Sequence, residues 1–427
     1  MKIRPNRRIS PGLGLAPAFP KIFGGFPRNH PDGGYATSQV MSRFSAILLS
    51  WTLLGSAASG QETTVQDRLP EVHPLSGDIM VLRSQSKKAD RLAQPSRIAP
   101  QDRVGTAGGT PGRISIDTGC LVTLRGVTAA EGEGLSVDRI GKKITVRLHH
   151  GNVLVETFAV EIALETPHGK VDAKAAYFLA EVGRESTRII AIDGELKVTN
   201  DLGSMDVGTG DTVVLRKKNE LAKGPAADPE RDLAGAAAAE EPFNLIRNPG
   251  FELDLKEWSS HRYQNKPLAT IDEKIVHRGK KSVRIQLPDI SLFPPTVPFD
   301  GSGETNSAFY TLQDAKVLKA GARYLLRFWI RTENYAVNGQ PVGFKFLSRG
   351  LALPEMSPAA KYSNLVCPSA EKKWVCVRFV VEARVGDKER FGMNLPDGPP
   401  ESGVFSGTVW LDDFFLAPLP PGREDSK

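Results

Sequence analysis

Between Arg113 and Lys217 the apolar residues recur at every second position, in short segments broken by Gly, Asp or Asn. The segments read "RISIDTGCLVTLRG", "KKITVRLHHGNVLVE", "TRIIAIDGELKVTN" and "SMDVGTGDTVVLRK". A period of two places alternate side chains on opposite faces of a strand, and none of these segments carries the 3.6-residue stripe a helix needs. Gly119, Gly151, Gly194 and Gly210 each follow a polar residue, the placement that suits tight turns with positive φ. The pattern therefore specifies an all-β unit whose strands are joined by short turns.

The same period returns after Phe243, in "SVRIQL", "FYTLQDAKV", "RYLLRFWIRTEN", "VGFKFLSRG", "WVCVRFVVEA" and "GTVWLDDFFLAPL". In "RYLLRFWIRT", Tyr324, Leu326, Phe328 and Ile330 fall on one face, with Leu325, Arg327, Trp329 and Arg331 on the other. The first set reads as core and the second as a face toward ligand or solvent. Between the two β regions, "KKNELAKGPAADPERDLAGAAAAEEP" is Ala and charge without apolar periodicity, which reads as a flexible or partly helical linker. With 427 residues, two domains plus tails is the expected organisation.

Upstream, "MSRFSAILLSWTLLGSAASGQE" begins at Met41 with one Arg, an apolar run from Phe44 to Leu54, and small residues from Ser56 to Gly60. That is the plan of a secretory signal peptide cleaved after Ala58 or Gly60, and the apolar run is too short to make a stable membrane span. The forty residues in front are explained by Met41 being the true start, a long native n-region being the alternative. "NRRIS" at Asn6 to Ser10 stands too far from the apolar run to act as a twin-arginine signal. The formal charge of +6 is carried partly by Lys2, Arg4, Arg7 and Arg8 in a Pro- and Gly-rich terminus, so it does not point to nucleic acid. Cys120, Cys367 and Cys376 are the only cysteines, too few for a disulfide scaffold. Cys120 reads as a small buried residue; Cys367 and Cys376 pair if adjacent strands bring them together, and otherwise stay as thiols.

Five pieces in order, "GRISIDTGCLVTL", "GKKITVRLHHGNVLVE", "ETPHGKVDAKAAYFLAEV", "TRIIAIDGELKVTN" and "VGTGDTVVL", resemble the FecR domain of bacterial periplasmic proteins over about Leu75 to Arg216. The chain departs from that pattern at Lys174 to Phe178, where the family carries Gly-Thr before its "F-V" strand. Farther on, "NLIRNPGFELDLKEWSS", "VHRGKKSVRIQL", "LKAGARYLLRFWIRTEN", "EKKWVCVRFVVEA" and "GTVWLDDFFLAPL" resemble carbohydrate-binding modules of the family 4 and 9 type, galactose-binding-like jelly rolls, over Asn244 to Pro418. The expected fold class is thus all-β: a signal peptide (about 41–60, behind an N-terminal extension), a polar segment (61–74), a FecR-like β domain (75–217), a linker (218–242), a jelly-roll β-sandwich (243–420) and a tail (421–427). The resemblance departs in the long loops "DISLFPPTVPFDGSGETNSA" and "PEMSPAAKYSNLVCPSA", which would frame a ligand cleft, so sugar specificity is not carried over.

Sugars present apolar C–H faces and a hydroxyl rim, so recognition calls for aromatic rings beside fixed polar groups. Trp329 with Arg327 and Arg331 fits that on an open face, and Tyr310, Tyr335 and Tyr362 lie near loops; Trp258, Trp374 and Trp410 read as core. In modules resembling this one the "FE" acid and the terminal "DD" pair hold a structural calcium, which here implies Glu252 with Asp412 or Asp413 and turn carbonyls near Asn248, Gly250 and Lys280. His149 and His150 are adjacent in a strand-like run and cannot readily share one metal. The "GEG" at Gly132 to Gly134 has neither dinucleotide nor phosphate-loop context. No nucleophile elbow, zinc-helix motif or phosphate loop occurs, so an enzyme is not expected.

The function these features imply is an exported, non-catalytic bacterial envelope protein, periplasmic or at the cell surface, that binds polysaccharide. The alternatives are FecR-type signalling through protein partners and a surface scaffold. Residues 1–40 lack the amphipathic helix that an anti-sigma segment would require, which disfavours the signalling relay. Mass spectrometry of the mature chain should place its N-terminus near Ser59 or Gln61. A mature chain that keeps residues 1–40 would contradict the export reading.

Overall fold

A computed structural model describes residues 69–117, 119–130, 133–158, 160–225, 236, 240–260, 262–263, 266–291, 309–314, 318–337, 339–341, 345–356, 362–368, 370–384, 390–395 and 404–421. The expected signal peptide, the extension before it and most of the expected linker lie outside these residues. Nearly all the regular structure is β-strand. Among the described residues, no helix is long and apolar enough to cross a membrane.

The first region builds two nine-stranded sheets. The centre of one runs Asp211–Leu215, Thr187–Asp193, Tyr177–Val182, Gly151–Thr157, Cys120–Arg125 and Gly112–Ile116. The centre of the other runs Leu196–Asn200, Gly169–Lys174, Glu161–Thr166, Lys143–Leu148 and Leu135–Ile140. The described pairings between named strands are antiparallel except Glu161–Thr166 beside Lys143–Leu148, which is parallel. Inward residues of both sheets, among them Val122, Val153 and Phe178 from one and Val146, Val171 and Val198 from the other, form one core.

The two sheets differ in what their outer faces do. In Gly169–Lys174 and Leu196–Asn200 buried residues alternate with Lys, Asp and Thr, as expected of a sheet wetted on one side. Tyr177–Val182, Thr187–Asp193 and Cys120–Arg125 are buried along almost their whole length, so their sheet is covered on both faces. At the departure noted between Lys174 and Phe178, Ala175 takes φ 48°. A residue with a Cβ pays roughly 1–2 kcal/mol there, which glycine avoids.

The second region is a jelly-roll-like sandwich with its own core. Its larger sheet orders Ala269–Asp272, Ser282–Ser291, Val404–Pro418, Arg323–Val337, Val375–Ala383 and Leu351–Ala352, with Gln340–Pro341 paired to Arg323–Val337. The smaller orders Ser259–Ser260, Phe309–Asp314, Arg390–Leu395, Lys345–Arg349 and Tyr362–Val366. Tyr324, Leu326, Phe328 and Ile330 lie in this core, the face expected for them.

The opening "RNPGFELDLKEW" is a loop closed on itself. Asn248, at φ 48°, donates from Nδ2 to the carbonyls of Asp254 and Lys256 at 2.8 and 2.9 Å, and its Oδ1 accepts the Leu253 N–H at 3.0 Å. Trp258 Nε1 donates to the Asn248 carbonyl at 3.1 Å. That geometry drives Phe251 into the core, where its ring meets Trp258 at 5.0 Å and Phe414 at 6.0 Å. Asn244 Nδ2 donates to the Phe414 carbonyl at 2.7 Å, tying the start of the sandwich to its last strand. Cys120, Cys367 and Cys376 are all unpaired thiols. His149 and His150 are exposed in a turn.

Candidate functional site

Trp329 and Arg327 stand opposite the jelly-roll core, as the alternation requires, yet they are only 5% and 4% exposed. The open ligand face expected for them is occupied by the first β region. Trp329 belongs to an apolar cluster with Leu154, Tyr177, Leu179, Ile190 and Ile192 of the doubly covered sheet and with Ala236 of the linker. A second cluster joins Leu121 to Leu325, Phe415 and Ala417. The outer faces of the two sheets thus form a continuous seam.

A charge network is buried inside that seam. Arg327 Nη1 donates to Glu156 Oε2 at 2.9 Å and Nη2 pairs with Glu240. The guanidinium lies 4.1 Å from the Tyr177 ring centroid and 4.7 Å from that of Phe415, and the Tyr177 hydroxyl donates to Glu240 Oε2 at 2.8 Å. Arg378 adds contacts to Glu156 and Asp193. Burial opposes the charge on Arg327, but Glu240, Tyr177 and Glu156 outweigh it and hold its pKa well above the usual value. Burial and the Glu240 charge push the Tyr177 phenol well up, against the pull of Arg327. Arg113, also buried, lies 4.8 Å from the Phe415 centroid, and desolvation lowers its pKa despite Glu240 and Glu156 nearby.

Beside the network a cavity of about 460 Å³ is bounded by Tyr177, Glu240, His277, Arg278, Trp329 and Asp413, among others. His277 stacks on Trp329 with ring centroids 3.8 Å apart. Its Nδ1 lies 2.6 Å from Asp413 Oδ2, and Arg278 pairs with the other oxygen of the same carboxylate. Burial lowers the His277 pKa against the pull of Asp413, and a carboxylate oxygen opposite Nδ1 requires that nitrogen to be the donor. Burial works against the Asp413 charge as well, but Arg278 and His277 overcome it and hold this carboxyl below the usual range.

The other predicted residues are scattered. Tyr335 is 5% exposed within the jelly-roll core, so it cannot reach a ligand. Arg331 is half-buried, with its guanidinium 5.9 Å from the Trp410 centroid. Tyr310 stands on the smaller sheet, opposite Ser259 on one side and Asn394 on the other; its side chain lies outside the described residues. Arg327, Trp329 and Tyr335 are therefore buried rather than set on the open face expected for them. Among the acids, Glu252 Oε1 accepts the N–H groups of Lys280 and Lys281 at 2.9 and 3.2 Å. Asp412 Oδ2 accepts those of His277 and Arg278 at 3.0 and 3.3 Å. Burial and the charge of Asp413 push the Asp412 carboxyl well up, despite its backbone donors. Among the described residues no three His, Cys, Asp or Glu side chains converge as a metal cluster.

Glu156, Glu240, Tyr177 and His277 were not singled out from sequence. Glu156 alone carries a signal, as a carboxylate set in the apolar strand "NVLVE", which a solvated position does not explain.

No protein-family profile matches the chain, and no curated protein does. Solved structures resemble parts of it. A candidate anti-sigma factor from Parabacteroides distasonis is 13% identical with a TM-score of 0.26, covering 31% of this chain and 62% of its own. A family 16 carbohydrate-binding module is 15% identical with a TM-score of 0.27, covering 41% of this chain and 99% of its own. The C-terminal family 22 module of Clostridium thermocellum Xyn10B is 8% identical with a TM-score of 0.27, over 42% and 95%.

Replacing Arg327 with Leu would leave Glu156 and Glu240 buried without their cation, and removing one partner of a buried ion pair costs about 3–5 kcal/mol. Denaturant unfolding of the Arg327→Leu protein should show a loss of that order. A loss under about 0.5 kcal/mol, the range of an ordinary surface change, would show that the network is solvated.

Proposed function

We propose that the protein is an exported, non-catalytic glycan-binding protein of the bacterial envelope, in which a FecR-like unit is fused to a module of the carbohydrate-binding type. The observation that carries this reading is a register row on the smaller jelly-roll sheet. Tyr310 stands opposite Asn394, Asn394 opposite Leu347 and Leu347 opposite Asn364. Two residues along, Gly392, Arg349 and Tyr362 form the next row on the same face. Along the same strand Leu365 is buried in the core while its neighbour Val366 is 54% exposed, and positions 362 and 364 share the strand parity of Val366. Two tyrosines, two asparagines and an arginine at these register positions would supply the aromatic and polar groups that sugars require.

The test is a glycan array with the mature chain, followed by calorimetry on the best hit. Tyr310→Ala should weaken that hit by about 1 kcal/mol, roughly fivefold, with unchanged melting. Full affinity in a Tyr310→Ala/Tyr362→Ala double variant would overturn the reading.

Calcium is part of the same proposal. The residues fit in one respect: Asp412 is a buried carboxyl beside a second acid and, among the described residues, pairs with no cation, whereas Asp413 is already committed to Arg278 and His277. Glu252 and Asp412 would hold the ion, with carbonyl oxygens completing the roughly six to eight ligands calcium takes. Its chemistry would be charge neutralisation between the first loop and the last strand. Melting of the mature chain should fall on addition of EDTA and recover with calcium, and Glu252→Gln should abolish the response. An unchanged midpoint would leave Glu252 as a cap on the 280–281 turn.

A further inference from the structure

One recess in the first β region takes no part in the seam or in the jelly-roll sheet. It has a volume of about 470 Å³, within the roughly 300–1,000 Å³ of small-ligand sites, and is bounded by Pro167, His168, Arg184, Ser186, Arg216 and Lys217, with Glu185 and Asn219 at its rim. Its walls are fixed by the fold. His168 is buried, with Nδ1 2.9 Å from Thr187 Oγ1 and Nε2 3.2 Å from the Arg184 carbonyl oxygen. The Gly183 N–H donates to the Ser186 carbonyl at 2.9 Å, closing the turn that carries Arg184. Thr187 pairs with Leu215, which sets Arg216 and Lys217 beside that turn. Asn200 Nδ2 donates to the Asn219 carbonyl at 2.7 Å and pins the opposite wall.

The charge at this recess is one-sided. Arg184, Arg216 and Lys217 are exposed, and among the described residues no ion pair neutralises any of them. Glu185 is the one carboxylate at the rim. Three cations held on fixed turns around a concave, mostly polar surface are the complement of an anionic group on a hydroxylated body. The Arg forks bind a carboxylate through two parallel hydrogen bonds, and Ser186 and Asn219 can meet hydroxyls. The Pro167 ring offers the apolar contact that a sugar face takes.

We infer that this recess is a second binding site, for an acidic sugar whose carboxylate is held by Arg184, Arg216 and Lys217. It stands independently of the jelly-roll face. Calorimetry on the mature chain, with trigalacturonate as probe and neutral galactotriose as control, tests it. Trigalacturonate should bind, more weakly as salt rises, because exposed charges are screened. The Arg184→Gln/Arg216→Gln/Lys217→Gln variant should lose at least tenfold in affinity with its melting unchanged, Glu185→Gln should bind more tightly, and Tyr310→Ala should leave this binding intact. The inference is overturned if the triple variant keeps its affinity, if galactotriose binds as well as trigalacturonate, or if inorganic phosphate or a short DNA strand binds equally well. Loss of binding in Tyr310→Ala with none in the triple variant would assign the acidic sugar to the jelly-roll face and also overturn it.

Discussion

The Arg327 guanidinium is held by carboxylates from two other parts of the chain, Glu156 of the first β region and Glu240 at the end of the linker. Such a cation cannot be buried alone, since the cost of stripping its hydration is several kcal/mol. Both acids must be delivered to it at once. That requirement fixes which sheet of each sandwich faces the other, and it converts the last part of the linker from a tether into a component of the seam. The aromatic rings of Tyr177 and Phe415 on either side of the guanidinium keep water out and strengthen the attraction.

The consequence for function is a division of labour between the two jelly-roll sheets. The larger sheet spends its outer face on the seam, through Leu325, Trp329 and Phe415. The smaller sheet, with Tyr310, Asn394, Asn364 and Tyr362 in adjacent register rows, is where we propose the glycan binds. A glycan held there and an acidic sugar in the recess near Arg184 would engage two different β regions of the chain.

Much of this was legible in the sequence. Period-two alternation fixed the strands, and the split of "RYLLRFWIRT" into two faces was right residue by residue, with Tyr324, Leu326, Phe328 and Ile330 in the core. What failed was the meaning of the second face. Alternation tells which residues share a side, but not whether that side meets water or another sheet. The unused clue was composition: "YFLAEV" and "TRIIAID" are apolar at successive positions, the mark of strands covered on both sides. Glu240 was illegible for a different reason. Its partner is 87 residues away in sequence, and nothing local separates a docked glutamate from a solvated one. The acids near the first loop show the same limit. Sequence placed Glu252 near the 280–281 turn but could not reveal that backbone N–H groups occupy its carboxylate.

The central claim is that Arg327 and its carboxylates join the two sandwiches into one cooperative unit. Scanning calorimetry of the protein measures this directly, because separate domains melt separately while a welded pair does not. The account predicts a single transition in the native protein, with calorimetric and van't Hoff enthalpies equal, that splits into two in Glu240→Gln/Arg327→Leu. Two resolved transitions in the native protein, unmoved by those substitutions, would contradict it.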